Sequence, residues 1–352
     1  MNSHLKNIVL FAIFFQANQS VAVVEYTYNS SFRGYVDISG PADKTQFMKL
    51  LANTGSSFAS LCSKNNEKYT LARIEYQPLA KWTGISYQIN SAFALEYLFE
   101  TGVSGFSVTP LGGLTTEANS YKPLPSERAI IWKGRLDNDN RVKNPVWVNM
   151  GFYLYKGADR FTTSQLLPGQ KVYRYECYDD VGNLQEIVNV EYSSFPIHLT
   201  VASCVPTNNV VSVELEKLPA SAIEKADSSE NIGLKQQSFS LQCDPNINVY
   251  TSIVDLSDIS NQSTVSNLTA DSSASGIGFA VIGPSGQRLK FGSDGSAQNI
   301  PGQIKYLLGR SGTSEKNNPI NFNLGFSYVR KPEVEFKTGT AKAIIGITYS
   351  YQ

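Results

Sequence analysis

Ala341–Gln352 reads AKAIIGITYSYQ. In an extended chain Ala343, Ile345, Ile347, Tyr349 and Tyr351 share one face, and Ile344, Gly346, Thr348 and Ser350 share the other. Period-two apolarity carried by β-branched and aromatic residues spells a strand. It runs to the last residue given, and an end this β-prone is expected to be paired on both sides, because an open apolar edge recruits other chains. If this chain has no neighbour for the strand, another chain must supply one.

The same pattern recurs upstream. Ile320, Phe322, Leu324, Phe326 and Tyr328 alternate with Asn321, Asn323, Gly325 and Ser327, one face buried and one wet. Phe239, Leu241 and Cys243 share a face, and Gly276–Val281 (GIGFAV) opens a further strand. Val201 to Leu215 alternates through Val211, Val213 and Leu215. In the first half Ile85–Ile89, Ala129–Lys133, Val146–Tyr155, Lys171–Cys177 and Val188–Tyr192 read as strands between turn residues. Only Ala42–Ala59 is compatible with a short helix, through Phe47, Leu50 and Leu51. The chain is therefore expected to be all-β, with two sandwich-like domains: a sandwich or barrel over 23–196 and a second over 197–352. Pro196 marks the boundary.

Composition narrows the function. The 352 residues hold 41% hydrophobic and 17% charged residues, with 30 basic balancing 30 acidic. Zero net charge gives no electrostatic case for nucleic acid. Met1–Ala22 reads as a secretory signal: Lys6, then the apolar run Ile8–Phe15, then Ser20-Val21-Ala22 at the cleavage site. Four cysteines in an exported chain imply disulfides. Three pairings are open, of which one bond per domain, Cys62–Cys177 and Cys204–Cys243, is favoured. No metal or cofactor is expected, since the only histidines are His4 and His198 and no CxxC occurs. No stretch has G-x-S-x-G spacing, so an enzyme is not expected.

About residues 200–352 resemble the pilin domain of chaperone–usher fimbriae. The resemblance rests on Cys204, FSLQC at Phe239–Cys243, GIGFAV, the turn Gly283-Pro284-Ser285-Gly286, Gly325-Phe326-Ser327-Tyr328 and the closing IIGITYSYQ with Tyr351. It implies an immunoglobulin-like sandwich lacking its last strand. A periplasmic chaperone, and later the next pilus subunit, would fill the groove by strand addition. Ile345, Ile347, Tyr349 and Tyr351 would line that groove, and Gln352 would carry the carboxylate the chaperone holds. The long region before Cys204 is too large for a donor strand, so the chain is expected at the tip of the fibre, delivered through an outer-membrane usher.

The first half resembles the receptor-binding domain of two-domain tip adhesins more loosely, through Lys143–Val148, Phe152–Leu154, Leu167-Pro168-Gly169-Gln170 leading into KVYRYEC, and Phe99–Gly105. By that resemblance Tyr178, Asp179, Asp180 and Asn183 form part of a pocket for a host glycan or glycoprotein. Acidic and amide groups bond sugar hydroxyls, and an aromatic ring stacks on a sugar face. Trp82 is the exposed aromatic candidate, whereas Trp147 lies in an apolar run that reads as core. The plain reading of Tyr178–Asn183 is a hairpin turn. Asp137–Asn140 reads as a solvated turn. The alternative function is a minor structural or biofilm subunit binding protein or abiotic surfaces.

Overall fold

The computed structural model describes residues 22–63, 69–88, 95–115, 121–161, 166–315 and 318–352. The expected signal segment up to Val21, and Ile89, lie outside the described residues.

The first half is built from β1 (Val24–Ser30), β2 (Val36–Pro41), β3 (Leu50–Asn53), β4 (Ser57–Leu61), β5 (Leu71–Pro78), β6 (Trp82–Tyr87), β7 (Glu96–Glu100), β8 (Phe106–Leu114), β9 (Lys122–Pro123), β10 (Ala129–Leu136), α1 (Asn138–Lys143), β11 (Val146–Lys156), β12 (Leu166–Leu167), β13 (Gln170–Asp179), β14 (Leu184–Tyr192) and β15 (Phe195–Ala202). They form a five-stranded sheet β1-β14-β13-β5-β10, a seven-stranded sheet whose main path is β3-β11-β8-β7-β6, and a small sheet β12-β15-β2. Tyr76, Tyr173, Tyr175, Tyr192 and Phe152 fill one core, ring against ring at 5.5–6.4 Å. The bond between Cys62 and Cys177 ties the end of β4 to β13.

The second half comprises β16 (Cys204–Pro206), α2 (Ala220–Glu224), β17 (Ile232–Cys243), β18 (Asn248–Asp255), β19 (Ile277–Ile282), β20 (Tyr306–Arg310), β21 (Asn318–Arg330) and β22 (Ile345–Tyr351). Two sheets, β16-β17-β21-β19 and β20-β18-β22, enclose Leu241, Val249, Ile253, Phe291, Leu324 and Tyr351. Cys204 and Cys243 face each other across β16 and β17 and are bonded.

Three expectations change. Ala42–Ala59 holds no helix: it carries β3 and the start of β4, joined through Gly55. The Phe47, Leu50 and Leu51 spacing suits a helix, but pairing with β11 decides the conformation. Phe195–Ala202 is no linker: it runs parallel to β2, and Phe195, Ile197 and Leu199 are buried in the first core. Pro196 is tolerated because the β2 pairing begins only at Ile197. The chain thus passes between the two cores at Val201 and Ala202, beyond Pro196: Val201 packs against both cores and Ala202 against the second. Asp137 is not merely a turn residue either: it caps α1, accepting from the Asn140 N–H at 2.8 Å.

Candidate functional site

Among the described residues the last strand pairs with one other strand. β22 pairs antiparallel with β18 in unbroken register, from Val249 opposite Tyr351 to Asp255 opposite Ile345, and it stands at the edge of its sheet. Its outward face is covered: Thr348 donates to Asp294 at 2.6 Å and Ser350 to the Ser296 carbonyl at 2.6 Å. Its other face meets the core. Tyr351 is buried and donates to the Cys204 carbonyl at 2.9 Å, whereas Ile345, Ile347 and Tyr349 are half-buried. Burial pushes the Tyr349 phenol up to about 12.

The segment after β16 is the other oddity. Val211, Val213 and Leu215 are half-buried and alternate with exposed Val210, Ser212, Glu214 and Glu216, as in a strand, yet they join no sheet. Lys235 donates to the Glu214 carbonyl at 2.7 Å and holds the segment in place. A cavity of about 370 Å³ opens between Thr207-Asn208 and the stacked rings of Phe239 and Phe322, 5.5 Å apart. Tyr349 of β22 meets Phe322 edge-on at 5.9 Å. An open strand edge thus runs beside apolar side chains that the fold leaves half covered.

In the first half, Tyr178–Asn183 spans the β13–β14 turn. Asp179 is buried, and its carboxylate is spent inside the hairpin: Oδ1 accepts from the N–H groups of Val181 (3.1 Å) and Asn183 (2.7 Å), and Oδ2 from Gln185 (2.7 Å). Gly182, at φ +94°, makes the turn possible. Asp179 therefore shapes the loop. Asp180 and Asn183 are exposed, and Asp180 stands 3.6 Å from Arg135.

Tyr178 belongs to a charged array that sequence reasoning missed. Arg73 lies 4.1 Å above its ring. Its hydroxyl donates to Glu176 at 2.6 Å and accepts from Arg128 at 2.6 Å. Arg128 also reaches Glu75 and Glu176. Burial opposes ionisation of Glu75, but hydrogen bonds from Arg73 and Arg128 hold its carboxyl below the usual range. Arg73 and Glu75 share a strand face at i, i+2, which is the one signal the sequence offered.

Trp82 is 38% exposed, on the outermost strand of the other sheet, with its indole N–H donating to the Ile85 carbonyl and its ring against Tyr97. Among the described residues nothing joins Trp82 to the hairpin. Trp147 corrects the core expectation: it is 45% exposed, on the same face of β11 and β4 as Phe58, which is 60% exposed. The apolar run around Trp147 concealed its outward direction.

Residues 194–352 match the family described as Fimbrial protein. The F17a-G fimbrial adhesin of Escherichia coli is 29% identical over 294 residues, spanning 76% of this chain and 83% of its own. The last 159 residues thus carry a fimbrial-protein domain, and most of the chain is similar to fimbrial adhesins. The F17d-G fimbrial adhesin of the same organism matches at the same identity and extent. Among solved structures, the ambient-temperature fimbriae adhesin AtfE of Proteus mirabilis superposes at TM-score 0.37 and 11% identity, covering 50% of this chain and 99% of that one. The CupB6 tip adhesin of Pseudomonas aeruginosa gives 0.29 and 13%, covering 91% and 90%. At these scores the superpositions carry no detail to this chain. The relatives it matches are fimbrial adhesins, a non-enzymatic family.

Proposed function

We propose that this adhesin sits at a fimbrial tip, with 23–196 extended to Ala202 as the receptor-binding domain and the remainder as the pilin domain that anchors it. The observation that carries this reading is β22: an edge strand with half-buried Ile345, Ile347 and Tyr349 and, among the described residues, no strand paired along its open side. A strand from a periplasmic chaperone, and then from the next subunit, completes the sandwich there. Backbone hydrogen bonds supply affinity, and alternate side chains filling the cleft beside Phe239 and Phe322 supply fit. The usher exports the complex.

The receptor is a host-surface glycan or glycoprotein. Asp180 and Asn183 are the polar groups placed to bond it, and Tyr178 the ring beside them; Asp179 holds the loop, and Trp82 lies apart from it. Screening the full chain against a panel of immobilised glycans tests this. A glycan whose binding is lost in Asp180→Ala supports it, and binding to none of the panel contradicts it.

A further inference from the structure

The open side of β22 is already partly occupied, and the occupant is the first domain. Gln352 and Asn248 exchange both N–H···O bonds, at 2.9 and 2.8 Å. In an antiparallel pair such exchanging residues alternate with residues that turn their N–H and C=O groups away. Since the register is unbroken, Ser350, Thr348 and Gly346 bond to β18, and Tyr351, Tyr349, Ile347 and Ile345 present their backbone groups to the open side.

Three of those groups are taken. The Tyr351 N–H donates to Asp43 Oδ2 at 2.9 Å, the Asp43 N–H donates to the Tyr351 carbonyl at 3.0 Å, and Arg160 Nη2 donates to the Tyr349 carbonyl at 2.5 Å. Asp43 follows β2 and Arg160 follows β11, so both belong to the first domain. Among the described residues nothing takes the groups of Ile345 and Ile347.

The occupant is built in rather than resting there. Asp43 is fully buried, and its carboxylate also accepts from Ser296 Oγ at 2.6 Å and Arg160 Nε at 3.0 Å. The Arg160 guanidinium lies 3.7 Å from the Tyr351 ring centre. Ala42 enters the second core. Phe47, Leu98, Tyr155, Ala297 and Ile300 form a separate apolar cluster across the same seam.

We propose that the first domain acts as a cap on the acceptor strand, so that docking of the two domains and addition of a long strand compete for the rungs at Tyr349 and Tyr351. This rests on the reading that a strand adds along β22. A partner strand that ends opposite Ile347 leaves the cap seated. One that continues to Tyr351 must expel Asp43 and Arg160 and so releases the first domain from the second. The length of the inserted strand therefore sets the domain arrangement.

Two synthetic alternating valine–threonine peptides with lysine ends, one spanning six residues and one twelve, test this on the full chain. Amide hydrogen exchange reports the rungs and small-angle scattering reports docking. Both peptides are expected to protect Ile345 and Ile347. Only the longer is expected to strip protection from the Asp43 amide, at least tenfold, and to lengthen the molecule. Asp43→Ala is expected to tighten the longer peptide about tenfold and leave the shorter unchanged. If the longer peptide binds while the Asp43 amide stays protected, the cap proposal is overturned and strand addition stands. If neither peptide protects Ile345 and Ile347, strand addition itself fails, and the cap proposal with it.

Discussion

Two lysines at the domain seam are held where a charge is costly. Burial pulls both Lys156 and Lys305 down to about 8. Lys156 donates to the Gly157 and Asp159 carbonyls, and Lys305 to Ser350 and the Ser296 and Ala297 carbonyls. With the unfolded value near ~10.4, the unfolded chain binds these protons more tightly between about pH 8 and 10. Stability should therefore rise with pH across that window. Above about pH 10 it should fall, because burial raises Tyr69, Tyr121 and Tyr349 to about 12 and the unfolded chain then loses phenol protons first. Urea midpoints measured from pH 7 to 11 check this, and Lys156→Met should flatten part of the rise. The hairpin allows a second check. Asp179→Ala strands the buried Gln185 amide and the turn N–H groups of Val181 and Asn183 and should cost ~1–3 kcal/mol, whereas Asp180→Ala should leave the urea midpoint unchanged and alter only receptor binding.

Strands carried by clean alternation were legible in the sequence: β21 and β22 announce themselves because one face is core and the other is wet. Where alternation competes with another period, the sequence misled. Phe47, Leu50 and Leu51 fit a helical stripe, and only the pairing of β3 and β4 with β11 settles them. Pro196 looked like a break because its fixed φ and missing N–H are harmless where β2 has not yet begun to pair. Trp147 sits among Val146, Val148 and Met150, all buried, so its outward direction was hidden. Two elements yield expected outcomes. Deleting Ile345–Gln352 removes β22 from one side of β18 and should abolish capture by the periplasmic chaperone, seen as degradation before export. Replacing both Cys62 and Cys177 by alanine opens a crosslink with a sequence separation of 115. By chain entropy this costs ~4–5 kcal/mol, which a urea titration of the full chain reads directly.

At the scale of the molecule, the second core and the closing strand's place in it were foreseeable from the sequence, but the joint between the domains was not. Asp43 and Arg160 are 117 residues apart, and Asp43 and Tyr351 are 308 apart. Neither stands in a motif, so only the folded chain brings them together. Because Asp43 is fully buried against Arg160, removing it leaves a cation without its partner, a change that typically costs ~3–5 kcal/mol. Asp43→Ala should split a single unfolding transition into two, resolved by calorimetry. The central claim is that β22 keeps an open side for a strand from another chain. Residue-resolved amide exchange on the chain alone tests it most directly. Gly346, Thr348 and Ser350 should exchange slowly and Ile345 and Ile347 fast, while equal protection at Ile345, Ile347 and Gly346 would mean that the edge is already filled.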